Sequence, residues 1–159
     1  MKKIFLILIL TFFIFSCYYT FKSTRFENIK SIYIENIKNE TDEYRFNQYL
    51  QDEINKTFIS DTDLSVKSKS QSDSILKLKI KEYDKEVVAI DLEENPTSKR
   101  VKIVVAYEFI INEETAEKND NYIFEYNYLI DENISDEELL QIISKELATD
   151  LKEQIIEGF

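Results

Sequence analysis

The chain contains no histidine at all, and only one cysteine, one glycine and one proline among its 159 residues. The absence of histidine removes Ser-His-Asp and Cys-His catalysis and every imidazole-rich metal site. A lone cysteine can form no disulfide within the chain. A single glycine, near the C-terminus at Gly158, cannot build the loops that cradle phosphates. Carboxylate pairs such as Asp61 with Asp63 or Glu93 with Glu94 occur. With 31 acidic residues, such neighbours are unavoidable, and neither the spacing nor the glycine of a calcium loop accompanies them. No catalytic or metal-binding constellation emerges; the expectation is a protein that is not an enzyme and carries no cofactor beyond covalent lipid.

What the chain has in excess is negative charge. The formal net charge is −11, a surface that repels a phosphate backbone, and no basic patch with interleaved aromatics offsets it, so nucleic acid is excluded as a partner. Anionic lipid is repelled too, so attachment to a membrane has to come from something other than a polybasic face. With 43% apolar and 32% charged residues, the chain is apolar enough for one globular domain.

The N-terminus offers that attachment. Met1, Lys2 and Lys3 form a short basic start, and residues 4–15 are apolar apart from Thr11. A span of about 17–25 residues is needed to cross a bilayer, so this run fits a secretory leader instead. It ends in Ser16 followed by Cys17, a small residue before a thiol, which is what lipoprotein signal peptidase requires. Cleavage before Cys17 and acylation of that cysteine are expected, making residues 1–16 a signal peptide and residues 17–28 a lipidated tether. The mature part then carries 18 basic against 31 acidic side chains, near −13. Tyr18, where Asp would signal retention in the inner membrane, directs the expectation to the outer membrane.

Residues 29–159 read as one α+β domain. Ile32 and Ile34 mark a first strand. Asn39 to Asp42 are helix-capping types, and Phe46, Tyr49, Leu50, Ile54 and Phe58 stripe a helix over residues 43–59. Leu64, Ser65 and Val66 form a short extended piece. Leu76, Leu78 and Ile80 alternate with Lys77, Lys79 and Lys81 in a half-buried strand running on to Ile90. Residues 95–98 are its turn; Val101, Ile103, Val105, Tyr107, Phe109 and Ile111 lie on one face of the next strand. Residues 112–121 read as a charged loop. Tyr122, Phe124, Tyr126, Tyr128 and Ile130 then face one way in a last strand. Core packing is the simplest use of these aromatics, and an interface stripe is the alternative. Ser135 and Glu138 have capping-box spacing ahead of a helix striped by Leu139, Ile142, Ile143, Leu147, Leu151 and Ile155, with Gly158 just beyond. The expected architecture is a two-layer sandwich of order β-α-β-β-β-α, a four-stranded mixed sheet with two helices packed on one face.

These features together resemble a known family. They are a lipobox Cys17, Tyr19-Thr20-Phe21, an Ile29-Lys30-Ser31-Ile32-Tyr33-Ile34 strand ending in Glu35-Asn36, and Ser72-Asp73-Ser74 ahead of Leu76, Leu78 and Ile80. A Val-rich strand after the basic pair Lys99-Arg100 and a C-terminal amphipathic helix complete the order. The pattern is similar to the lipopolysaccharide-assembly lipoproteins, the LptE or rare lipoprotein B family, from Cys17 to about Ile156. The resemblance implies a non-enzymatic protein that plugs an outer-membrane β-barrel translocon of the lipopolysaccharide-transport type, helps it assemble, and binds lipopolysaccharide or lipooligosaccharide. By the same resemblance Lys99 and Arg100 are the candidate ligand contacts. The row Lys77, Lys79 and Lys81 could serve an anionic ligand as well, or be only the wet face of a strand. A stand-alone surface or periplasmic lipoprotein that binds a small ligand or another envelope protein is the other reading.

Overall fold

The computed structural model describes residue 26, residues 29–130 and residues 134–158; Cys17, the leader and nearly all of the tether lie outside them. Strand β1 (Ser31–Ile34) is followed by the two-residue strand β2 (Lys38–Asn39), helix α1 (Phe46–Asp61) and a second two-residue strand, β3 (Ser65–Val66). Three long strands come next, β4 (Ser74–Ile90), β5 (Pro96–Ile111) and β6 (Glu114–Leu129), then helix α2 (Asp136–Lys152), which ends in a wider π-helical turn (Glu153–Glu157).

The sheet has six strands, with path β3-β1-β4-β5-β6 and β2 paired to β4. Its class matches the sequence expectation, but its strand number exceeds four because β2 and β3 each add two residues in parallel pairing. Such short strands carry no periodicity to read. Strand β1 is parallel to β4, whereas β4, β5 and β6 form an antiparallel meander. Ser31 and Asp73 lock the first strand to the fourth. The Asp73 carboxylate accepts from Ser31 Oγ at 2.8 Å and from the Lys30 N–H at 3.0 Å, which holds its carboxyl below the usual range, the Ser31 bond first among the causes.

One face of the sheet is covered. Phe46, Leu50, Ile54 and Phe58 of α1 and Leu139, Ile143, Leu147 and Leu151 of α2 pack in one core with Leu76, Leu78, Ile80, Val101, Ile103, Val105 and Phe109. Each element supplies one apolar face, and burying a side chain such as Leu or Phe contributes about 1.5–3 kcal/mol. Between Ile80, paired with Val105, and Glu82, paired with Val104, the register slips, so Lys81 is an extra residue. The bulge reverses the strand's parity. Beyond it Tyr83, not Glu82, turns toward the helices, where its ring lies 5.3 Å from that of Phe46.

Three local expectations need correction. Residues 112–121 are not a loop: Asn112 and Glu113 alone turn the chain, both at positive φ (49° and 69°), and β6 begins at Glu114. That pair of left-handed residues is what a two-residue hairpin requires. The first half of β6 is mostly exposed, so no apolar alternation was there to announce a strand. The turn at the other end of β5 is residues 91–95, and Pro96 opens the strand, a position where its missing N–H costs little. Finally, Asn39 to Asp42 do not cap α1, whose N-cap is Arg45 without a side-chain bond. Asn39 instead folds the preceding turn, accepting from the Thr41 N–H at 2.9 Å and donating to the Glu43 carbonyl at 3.0 Å. At α2 the expectation holds: Ser135 Oγ accepts from the Glu138 N–H at 3.1 Å, and Gly158 takes φ 74° at the C-cap.

Candidate functional site

Among the described residues no helix covers the second face of the sheet, and a ladder of opposite charges runs across it. Lys77 Nζ lies 2.9 Å from Glu108, Lys79 Nζ 2.9 Å from Glu40 and Lys102 Nζ 3.8 Å from Glu82. The Lys77 bond, with a second from Thr115, holds the Glu108 carboxyl below the usual range. Ala106, paired with Lys79 across β4 and β5, sits where the β5–β6 register slips between Val105 and Tyr107. Its methyl group leaves a depression of about 180 Å³, rimmed by Lys38, Lys77, Lys79 and Lys118 together with Glu35, Glu108 and Asp120. Four ammonium groups around a shallow floor suit phosphate or acidic sugar, provided a ligand displaces the carboxylates that now pair three of them. Among the described residues no group of three or more His, Cys, Asp or Glu side chains could hold a metal ion.

The two residues singled out by resemblance stand next to each other in β5 but face opposite ways. Arg100 is paired with Glu86 and Asn127, Lys99 with Val87 and Tyr128. Arg100 therefore belongs to the open face, where it lies 3.5 Å from both Glu86 and Glu125 and donates from Nε to Asn127 Oδ1 at 3.1 Å. Lys99 points to the helix side and helps, after Lys85 and Arg45, to hold the Asp136 carboxyl below the usual range. Of the lysine row, Lys77 and Lys79 line the depression, while Lys81, at the bulge, donates to the Asp120 carbonyl at 3.0 Å and Asn121 Oδ1 at 2.9 Å. The depression itself was not legible in the sequence. Lys38 and Lys118 reach it from segments without periodicity, and the one available signal was a lone small residue, Ala106, within a Val-rich strand.

The β4–β5 hairpin outruns the helices. Val87, Val88, Ile90 and Leu92 are exposed at its end. The tip is nevertheless held: Asp91 Oδ1 accepts from the Glu93 and Asn95 N–H groups at 2.8 and 2.9 Å. Seventeen residues of β4 at about 3.3 Å each give the strand a length along its own path of about 55 Å.

Comparison with known proteins decides the family. The model of the lipopolysaccharide-assembly family, LptE, matches residues 29–157. The chain belongs to this family. The solved structures that resemble the chain share little sequence with it. Uncharacterized lipoprotein B from Nitrosomonas europaea has a similar fold at 12% identity and a TM-score of 0.55, over 80% of this chain and 82% of that one. A hypothetical protein of Chlamydia trachomatis is similar at 8% identity and a TM-score of 0.54, over 79% and 97% of the respective chains. The PelC dodecamer subunit of Paraburkholderia phytofirmans is similar at 12% identity and a TM-score of 0.50, over 77% and 85%. No curated protein matches the chain in sequence. The LptE-family fold thus comprises all the described elements from β1 to the turn after α2.

Proposed function

We propose that the chain is a lipid-anchored, non-enzymatic lipoprotein of the outer membrane that plugs and helps assemble a β-barrel translocon delivering lipopolysaccharide. In this reading residues 1–16 are removed, Cys17 carries the acyl chains, and residues 17–28 tether the domain to the membrane. One acyl chain binds only marginally, whereas two or three on one cysteine hold the protein permanently. The observation that carries the reading, beside family membership, is the open sheet face. Across β4 and β5 it is kept polar by paired charges such as Lys102–Glu82 and Arg100–Glu86, as a protein enclosed in a water-filled lumen needs. The length of the domain also suits it, since about 55 Å of hairpin exceeds the roughly 30 Å of a bilayer core.

The glycolipid contacts proposed are the lysines around Ala106 and, near the tip, Arg100 on the open face and Lys99 on the other, as separate contacts rather than halves of one site. Depletion of the lipoprotein in its own cells tests the function. Loss of folded barrel and of surface lipopolysaccharide is the expected outcome; normal barrel levels and normal surface glycolipid would refute it.

A further inference from the structure

The two edges of the sheet are treated differently. On one side the edge strands are β2 and β3, each two residues long, too short to template another chain. On the other side β6 closes the path with 16 residues, and no described strand pairs its outer edge. Proteins ordinarily blunt a long edge with lysine, proline or a bulge. Residues 122–129 have none of these. Glu125 is their only charged residue, and they pair with residues 105 to 98 of β5 without a slip in register. Phe124 and Tyr126 are only half-buried on the helix side, and Ile123 and Leu129 on the open face are 55% and 51% exposed.

Helix α2 runs beside this edge. Tyr122 of β6 donates its phenolic hydrogen to Asp150 of α2, and β6, α2 and the π-helical turn after it border an open groove of about 430 Å³ lined by Ile123, Phe124, Glu125, Glu146, Asp150 and Glu153, with Thr149. A free strand edge facing a helix is the geometry in which an extended peptide adds as a further strand. Main-chain hydrogen bonds then supply affinity, and alternate side chains supply selection. Here the selection is for positive charge, since four carboxylates line the groove. Among the described residues neither Glu146 nor Glu153 has a cation at ion-pair distance. A second copy of this chain would bring the same four carboxylates and be repelled, and so would anionic lipid.

We propose that the groove between β6 and α2 binds an extended, lysine- or arginine-bearing segment of a partner protein as a seventh strand. The segment lies antiparallel or parallel along residues 122–129, stacks an apolar side chain on Phe124 and sets basic side chains against Glu125, Glu146 and Glu153. The site is independent of the depression around Ala106, so it stands whether or not the partner is the barrel.

The test uses the full-length lipoprotein in its own cells, with a photo-reactive residue at position 123 or at position 149 and sequencing of the cross-linked peptides. Both positions should capture the same short stretch of one protein, and that stretch should carry Lys or Arg. Glu146→Lys combined with Glu153→Lys should cut the yield at least tenfold while leaving the thermal unfolding temperature in place. If that double variant loses stability, Ile123→Lys, at an exposed position, serves with the photo-reactive residue at 149 and should produce the same loss. Cross-links to a second copy of the chain, to lipid, or to a protein segment indifferent to these charges would each overturn the proposal. So would a yield no higher than from exposed Tyr44.

Discussion

Tyr122 in β6 and Asp150 in α2 join the open edge of the sheet to the last helix through a single hydrogen bond between a phenol and a carboxylate. The ring of Tyr122 also lies 6.1 Å from that of Tyr107 in β5, so one side chain connects edge strand, neighbouring strand and helix. Tyr122→Phe removes only the hydroxyl. A hydrogen bond to a charged group contributes about 1.5–3 kcal/mol, and urea unfolding of the variant should show a loss toward the lower end of that range, because the site is half-buried.

The pH dependence of stability follows from the same kind of contact. Burial, and for Tyr122 the Asp150 bond next, raises the phenol pKa of both Tyr83 and Tyr122. Above the ordinary tyrosine value of about 10 the unfolded chain releases protons that the folded chain retains, so stability falls as pH rises beyond that point. Asp73, Glu108 and Asp136 are shifted the other way, by Ser31, Lys77 and Lys85 respectively. Their contribution is present above the ordinary carboxylate range of about 4 and is lost as pH falls below it. Denaturant titrations across the range should give a plateau between these limits. Asp73→Asn should flatten the acid side, and Tyr83→Phe the alkaline side.

Core and open face should respond differently to truncation. Phe58 is fully buried between helix and sheet, and Phe58→Ala should cost about 3–5 kcal/mol. Lys102→Ala removes a 3.8 Å ion pair on the exposed face and should change stability by less than about 1 kcal/mol. Equal losses would mean that the open face, too, is packed against something in the isolated protein.

The periodic parts of this fold were legible in the sequence because burial imposes a period. Leu76, Leu78 and Ile80 announced β4, and Phe46, Leu50, Ile54 and Phe58 announced α1, since each lies on the one face that meets the core. What stayed hidden lacks that constraint. The first half of β6 is mostly exposed and has only Ala116 against the core, and β2 is two residues long; β3 could be read as an extended piece at Leu64 to Val66, but not as a strand of the sheet. The Lys81 bulge, which decides which side chains beyond it turn inward, leaves no trace in hydrophobicity. The same reasoning applies to function. Lys77 and Lys79 could be read as a row, but the depression they border also needs Lys38, Lys118 and the small side chain of Ala106 from other strands. Lys99 and Arg100, adjacent in sequence, are divided by the pleat of the strand.

Glycolipid binding offers a direct check on that depression. Lys38→Ala, Lys79→Ala and Lys118→Ala together should weaken binding of purified lipopolysaccharide at least tenfold, with unchanged urea unfolding. Arg100→Ala and Lys99→Ala should each have a smaller effect, and the double variant should show their sum, because they face opposite sides. A triple variant that binds as well as the parent would remove the depression as a contact.

The lipid anchor is tested at Cys17. Cys17→Ala should abolish incorporation of labelled palmitate and leave the leader attached. Palmitate labelling that persists, or a processed chain of mature size, would place the anchor elsewhere.

The central claim, a plug within a barrel, is tested most directly by solubilising native membranes in a detergent that keeps such barrels intact and isolating the tagged full-length lipoprotein. The account predicts one large outer-membrane β-barrel in near one-to-one amount. The lipoprotein recovered alone, from membranes in which that barrel is present and folded, would contradict it.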